Sequence, residues 1–286
     1  MKFLSRLSVL LVMTGLALVI MSVSMMVAML LTDVKVGMHI GMWIQNLLLM
    51  IGVPMLWTWW FDVRKVHVDG SPLRSIFCHL RMDRVNLRYL LVTMLLMVVS
   101  LPASDALDVV SLHFPWPEYV RQYCEQSFIK NQQTLLLLLQ PTGILGYLEL
   151  FLLMCLSTAI GEEMMFRGAV LNCLRQGGRL NWHLTIWLIG LIFSLIHFEM
   201  MGFLSRWLMG AMLGYLVYWS RSLWPAILAH CTNNLIALIS YKMTPVEELF
   251  VLDRDCSFSP WIICASVLFT IVVLGYLWRI RVSDDE

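Results

Sequence analysis

Apolar positions in this chain come in long unbroken runs, not in the alternation of strands or the narrow stripes of surface helices. The runs fall at roughly 7–31, 38–61, 89–111, 142–174, 181–200, 203–220, 222–240 and 261–279, and they approach the ~20 residues that a helix needs to cross a bilayer. They predict an all-α, polytopic membrane helical bundle of about eight transmembrane helices. A helix satisfies its own backbone in lipid, and the polar and apolar alternation of a membrane barrel is missing. No internal repeat, low-complexity tail or long linker stands out, so residues 1–286 read as a single integral membrane domain. The first run is too long for a secretory leader and lacks a small-residue cleavage site, which makes it a retained span.

Composition agrees: 59% of residues are hydrophobic, 14% are charged and the net charge is +1. Nothing there points to a nucleic-acid partner, and none is expected. The cations give an orientation. With eight spans and an inside N-terminus, Lys2, Arg6, the six cations of 62–88, Arg175, Arg179, Arg221, Arg279 and Arg281 fall inside, and Lys35, Arg121, Lys130, Arg206, Lys242 and Arg254 fall outside. Arg167 lies in the membrane. The excess inside predicts that both termini are cytosolic.

The segments between runs add local expectations. The 62–88 loop serves as an orientation signal or lies against anionic headgroups. Pro102, Asp105 and Asp108 suggest a break or a wetted end in the third span, with no chemistry assigned. Segment 112–133, with Trp116, Tyr119 and Tyr123, suits an external interfacial ledge. The helix after Pro141 would be about 50 Å long at 1.5 Å per residue, so it must tilt, break near Gly161 or protrude. The seven cysteines show no zinc-ligand spacing. Cys124 and Cys256 share the outer side, where either a disulfide or, as the simpler expectation, two unlinked thiols would stand.

One stretch breaks the apolar pattern from within: Gly161-Glu-Glu-Met-Met-Phe-Arg-Gly168. Charges inside a bilayer are costly and point to a function or a partner. Glu163 and Arg167 are four apart with the acid first, the favourable order for a helical pair. Glu162, turned about 100° from its neighbour, is left without a local counter-charge. Two later spans carry Phe193-Ser-Leu-Ile-His197 and His230-Cys-Thr-Asn-Asn234, and each spacing puts both end residues on one helical face. Glu162, His197, His230 and Asn234 lie about 20, 24, 14 and 20 Å from their cytosolic helix ends at 1.5 Å per residue. They can therefore line one cavity near mid-membrane, reached from the cytosol or laterally between helices. Glu149, His183 and Glu199 are weaker candidates, assigned to interfaces. Gly210 and Gly214 form a small-residue stripe suited to a close helix contact.

A carboxylate in a partly dry pocket is a usable general base for water. Glu162 fits that role, His197 can orient the same water, and His230 with Asn234 can donate to a developing oxyanion. That is acyl hydrolysis, with lipid and peptide substrates both open. The alternative is a zinc site of Glu162, His197 and His230 with open positions, although H-E-x-x-H is absent and no obvious base would remain. A serine mechanism is weaker: there is no G-x-S-x-G, and Ser194 has no orienting carboxylate. A proton-coupled transporter or a non-catalytic scaffold is the reading from a different class.

The ordered set Glu162-Glu163-Met-Met-Phe-Arg167, Phe193-x-x-x-His197 and His230-x-x-x-Asn234 resembles the CPBP family of intramembrane proteases, which includes CAAX proteases and bacteriocin-processing (Abi) enzymes. The resemblance covers about residues 142–240, which would be the catalytic helices. It implies an eight-helix bundle and an endopeptidase that uses a glutamate-activated water, with no cofactor (zinc in older descriptions), near the leader or C-terminus of a peptide or membrane-protein substrate. It further implies Glu162 as base, His197 as its partner, and His230 and Asn234 as oxyanion donors, supported by Glu163, Arg167 and Phe193. The expected setting is the lipid bilayer, as a multi-pass protein of a bacterial inner (plasma) membrane.

Overall fold

The computed structural model describes residues 2–64, 71–82, 85–140, 143–176, 181–199, 201–251 and 254–281; Lys65, Arg84, Pro141 and Arg179, used above, lie outside the described residues. Among the described residues the chain is all-α, without strands. The helices are α1 (Lys2–Leu31), α2 (Val34–Val63), α3 (Pro72–His79), α4 (Leu87–Leu112), α5 (Glu118–Leu138), α6 (Gly143–Arg175), α7 (Trp182–Leu195), α8 (Phe203–Ser220), α9 (Trp224–Met243) and α10 (Pro260–Arg279). Among the described residues each predicted apolar run contains a helix. Five of them, in α1, α2, α4, α6 and α10, are long and apolar enough to cross a membrane by length and composition, so the chain is a multi-pass integral membrane protein. In α8 and α9 the apolar character is diluted by Arg206 and by His230, Asn233, Asn234 and Lys242.

The run predicted over 181–200 stops early. Asn181 caps α7 through a 2.7 Å bond from Leu184 N–H, and the helix ends at Leu195 after 14 residues, about 21 Å at the α-helical rise. The chain then turns, with Phe198 in the left-handed region at φ 51°. The larger part of segment 112–133 belongs to the 21-residue helix α5, launched by Pro117.

Of the alternatives open at Pro102 and Gly161, neither break occurs. Pro102 sits inside a continuous α4, where a proline removes a ladder donor and strains the turn before it. Ser266 of α10 repairs the ladder: its hydroxyl donates to Val99 O at 2.6 Å and accepts from Ala103 N–H at 3.2 Å. Such repair by a neighbouring helix is how membrane helices tolerate proline. Helix α6 likewise runs through Gly161, but its winding changes. Turns with i→i+5 bonding at Phe151–Ser157 and Met164–Val170 flank a short α segment, Thr158–Glu163. Turns of this kind are rare and concentrate at functional sites. Gly161 is where α6 touches α2: a Cβ there would lie 2.6 Å from Met50 Cβ.

Two apolar clusters flank α6. One gathers Cys155, Ala159 and Met164 with α4, α8 and α9; the other gathers Met165, Phe166 and Ala169 with α1, α2 and α7. Glu163 and Arg167 thus stand at the seam between two cores. Outside the seam, Asp105 receives a 2.6 Å bond from Arg254 and Asp108 accepts from Ser205, so these acids tie α4 to α8 and to the segment before α10. Cys124 and Cys256 are both unbridged thiols.

Candidate active site

The site begins with a charge that α6 cannot neutralise alone. Glu163 and Arg167 are both fully buried, and Arg167 Nη1 donates to Glu163 Oε1 at 2.7 Å. The predicted pair is therefore present, even though the turn between its members is wound i→i+5. Arg167 Nη2 reaches α8 and donates to the carbonyl of Gly210 at 2.8 Å, while the guanidinium carbon lies 5.0 Å from the centre of the Phe193 ring. Gly210 makes this reach possible: a Cβ on it would stand 2.8 Å from Gly190 Cα, so α7 and α8 are in backbone contact beside the arginine. The small-residue stripe read from the sequence is that contact.

His230 of α9 closes on the same carboxylate, with Nδ1 3.0 Å from Glu163 Oε1. An ionised carboxylate only accepts, so Nδ1 carries the hydrogen, and the second ring nitrogen faces elsewhere. That nitrogen, Nε2, lies 3.7 Å from Glu162 Oε2, too long for a hydrogen bond. The buried imidazole therefore lies between the two adjacent glutamates, bonded to one and facing the other. A chain of contacts runs from Gly210 O through Arg167, Glu163 and His230 to Glu162.

Glu162 keeps 12% of its side chain exposed, against none for Glu163. His197 follows the last turn of α7 and is exposed; its Nδ1 donates to Phe193 O at 2.6 Å. The carbonyl can only accept, so a neutral His197 ring presents the lone pair of Nε2. The structure joins His197 to the cluster through Phe193, whose ring centre is 4.9 Å from His197 and 5.8 Å from His230. Asn234, one turn beyond His230, donates to Met154 O of α6 at 3.3 Å. All seven residues singled out in the sequence thus belong to one neighbourhood on α6, α7 and α9. Its exposed member, His197, lies beside the α7–α8 turn and not at the end that carries Arg175 and Arg221.

Three contributors were missed. Buried Asn46 of α2 donates to Leu153 O at 3.0 Å, Ser157 Oγ at 2.8 Å and Thr158 Oγ1 at 3.1 Å, fixing α6 just before the glutamates. An amide within an apolar span was the available signal. The Gly210 carbonyl carries no side-chain signal at all. Arg206, taken only as an outside charge, holds the turn that carries His197 through Glu199, by a 2.9 Å ion pair and a 3.1 Å bond to its carbonyl. The weaker candidates are engaged structurally: Glu149 with His39 at 3.0 Å, His183 with Tyr215 at 2.9 Å, and Ser194 with Phe203 O at 2.7 Å. Among the described residues no three His, Cys, Asp or Glu side chains are arranged to hold a metal ion. Glu162, His197 and His230 therefore do not form a three-ligand set.

Fold and site together define a polytopic membrane protein with a buried Arg–Glu–His centre and one carboxylate held at its edge. Residues 144–236, which span the site, match the family model of the type II CAAX prenyl endopeptidases, Rce1-like. Over this segment the chain is similar to CAAX-type endopeptidases, a likeness that points to a peptidase working in a lipid bilayer on peptide substrates. No curated protein and no solved structure matches the chain.

Proposed function

We propose that this protein is an intramembrane endopeptidase in which Glu162 activates a water for attack on a peptide bond near the leader or the C-terminus, CAAX-like, of its substrate. The bacterial inner membrane is the proposed setting. The observation that carries the reading is the unequal treatment of two adjacent carboxylates. Glu163 is consumed by Arg167 and His230, whereas Glu162 stays partly exposed with only the edge of His230 facing it. A structural pair needs one glutamate. The second has a reason to be there if it meets a reactant.

In the proposed reaction Glu162 takes a proton from water as the oxygen adds to the scissile carbonyl carbon, and His197 Nε2 accepts the other water hydrogen to set the angle of attack. The carbonyl oxygen becomes negative. Asn234 has a second amide hydrogen to offer it, and His230, if protonated at both nitrogens, offers Nε2–H. Glu162 then delivers its proton to the leaving nitrogen as the carbon–nitrogen bond breaks, which returns the carboxylate to its starting state. No step of this proposed route requires a metal.

The test uses the purified full chain in lipid nanodiscs, offered membrane-soluble peptides with leader or CAAX-like C-termini, with and without a prenyl group. Cleavage is read by mass spectrometry beside a Glu162→Gln control. Equal cleavage by wild type and Glu162→Gln sinks the reading. Loss of activity with a chelator and recovery with zinc would replace it with the metal-dependent one.

A further inference from the structure

A cavity of about 370 Å³ lies where the start of α2, the segment after α5 and the start of α6 come together, a size in the range of small-ligand sites. Helix α2 reaches it by having two faces. Gly37 and Gly41 are turned to α1, where a Cβ on either would stand 3.0 Å from Met29 Cγ or Met25 Cγ. Lys35, His39 and Trp43, two positions from these glycines and so about 200° round the helix, line the cavity. Glu149 lines it from α6, about 20 Å along that helix from Glu162 at the α-helical rise.

The polar groups on its wall are only partly used by the protein. Both ring nitrogens of His39 are engaged, Nδ1 lying 3.0 Å from Glu149 Oε1 and Nε2 3.3 Å from Leu138 O, so the imidazole serves to hold Glu149 and the end of α5 in place. Lys35 Nζ donates to Gln140 O at 2.5 Å. That uses one of three ammonium hydrogens, and among the described residues no carboxylate pairs with Lys35. Glu149 is bonded through Oε1 alone, and its side chain stays 45% exposed, which leaves Oε2 to accept. One cavity thus presents a spare cationic donor and a spare anionic acceptor. A ligand of a single charge sign would gain at one and be repelled at the other; a zwitterion gains at both.

We propose that this cavity binds the headgroup of a phospholipid of the phosphoethanolamine type, with the phosphate on Lys35 and the primary ammonium on Glu149. The position suits a lipid: the ends of membrane helices lie at headgroup level, where an indole such as that of Trp43 is favoured. Val36 and Ile40, which border the cavity and are exposed on the flank of α2, give the acyl chains an apolar track. A trimethylated ammonium has no hydrogen to give Glu149, and a headgroup without a cation would set its phosphate against that carboxylate. The occupant bridges α2 and α6, the helices joined further along by Asn46 just before the glutamates.

The experiment titrates the detergent-solubilised full chain with phosphatidylethanolamine, phosphatidylcholine or phosphatidylglycerol of matched acyl chains, and native mass spectrometry reads the apparent Kd of the first lipid bound. Wild type should bind phosphatidylethanolamine at least tenfold tighter than either of the others. Lys35→Met removes the phosphate contact and Glu149→Gln the charge that holds the ammonium; each should weaken phosphatidylethanolamine binding at least tenfold. Both should fold, because Lys35 gives up one bond to a carbonyl and a glutamine amide oxygen still accepts from His39. If wild type binds the three lipids alike or prefers phosphatidylglycerol, or if either variant binds phosphatidylethanolamine as wild type does, the proposal falls.

Discussion

His230 Nδ1 closes on Glu163 Oε1 at 3.0 Å across 67 positions of sequence. That bond converts a local helical ion pair into a three-residue centre spanning α6 and α9, and it sets which edge of the imidazole faces Glu162. The division of labour between the glutamates therefore rests on α9 as much as on α6.

Glu162→Gln removes a proton acceptor while keeping shape and hydrogen-bonding capacity. Turnover should fall about 10²–10⁴-fold, the range for a positioned general base. Melting temperature should match wild type, because among the described residues no hydrogen bond of the Glu162 side chain supports the fold. Parallel activity and thermal-shift measurements decide this, and a large loss of melting temperature would recast Glu162 as structural.

Arg167→Ala strands the buried Glu163 carboxylate. Breaking a buried pair typically costs about 3–5 kcal/mol, so expression and melting temperature should drop together with activity. Retention of normal melting with complete loss of turnover would move Arg167 from scaffold to reaction, as a clamp on a substrate carboxylate.

The same carboxylate should couple Glu163 to His230. In a double-mutant cycle of Glu163→Gln and His230→Gln, the unfolding free energies should be non-additive by about 0.5–3 kcal/mol, as for contacting residues in one network. Additive values would show that the two side chains do not share a bond in solution.

Gly210→Ala places a methyl group against Gly190. Overpacking of this kind costs about 1–3 kcal/mol. Because the displaced backbone also holds the Arg167 acceptor, activity should fall further than at Gly214→Ala, where the new Cβ meets the Ile186 side chain and not backbone. Equal activity loss in the two variants would separate the glycine contact from the centre.

Much of this centre was legible because it consists of exceptions to an apolar rule. Glu163 and Arg167 declared each other by spacing, and His197 declared Phe193 one turn away. The contacts between helices were not legible, since spacing within one helix says nothing about which neighbour it meets; hence His230 read as an oxyanion donor without its bond to Glu163. Helix ends failed for a related reason. Apolar residues continue past Leu195, so hydropathy ran the helix on to 200 while the backbone turned at Ile196. Pro102 suggested a break or a wetted end on local grounds, and the position of Ser266 on a distant helix removes the break.

The unwound carbonyls of α6 have an evolutionary consequence. At Phe151–Ser157 neighbouring helices grip the backbone itself: Asn46 takes Leu153 O and Asn234 takes Met154 O. A contact made to backbone survives a change of side chain. Leu152 and Met154, which lie outside the two apolar clusters, are thus free to drift among apolar types to suit different lipids or substrates without disturbing the position of the glutamates, whereas the two asparagines that read the backbone are not. Variation in this lineage should accumulate at those two positions and spare the hands that hold the backbone between them.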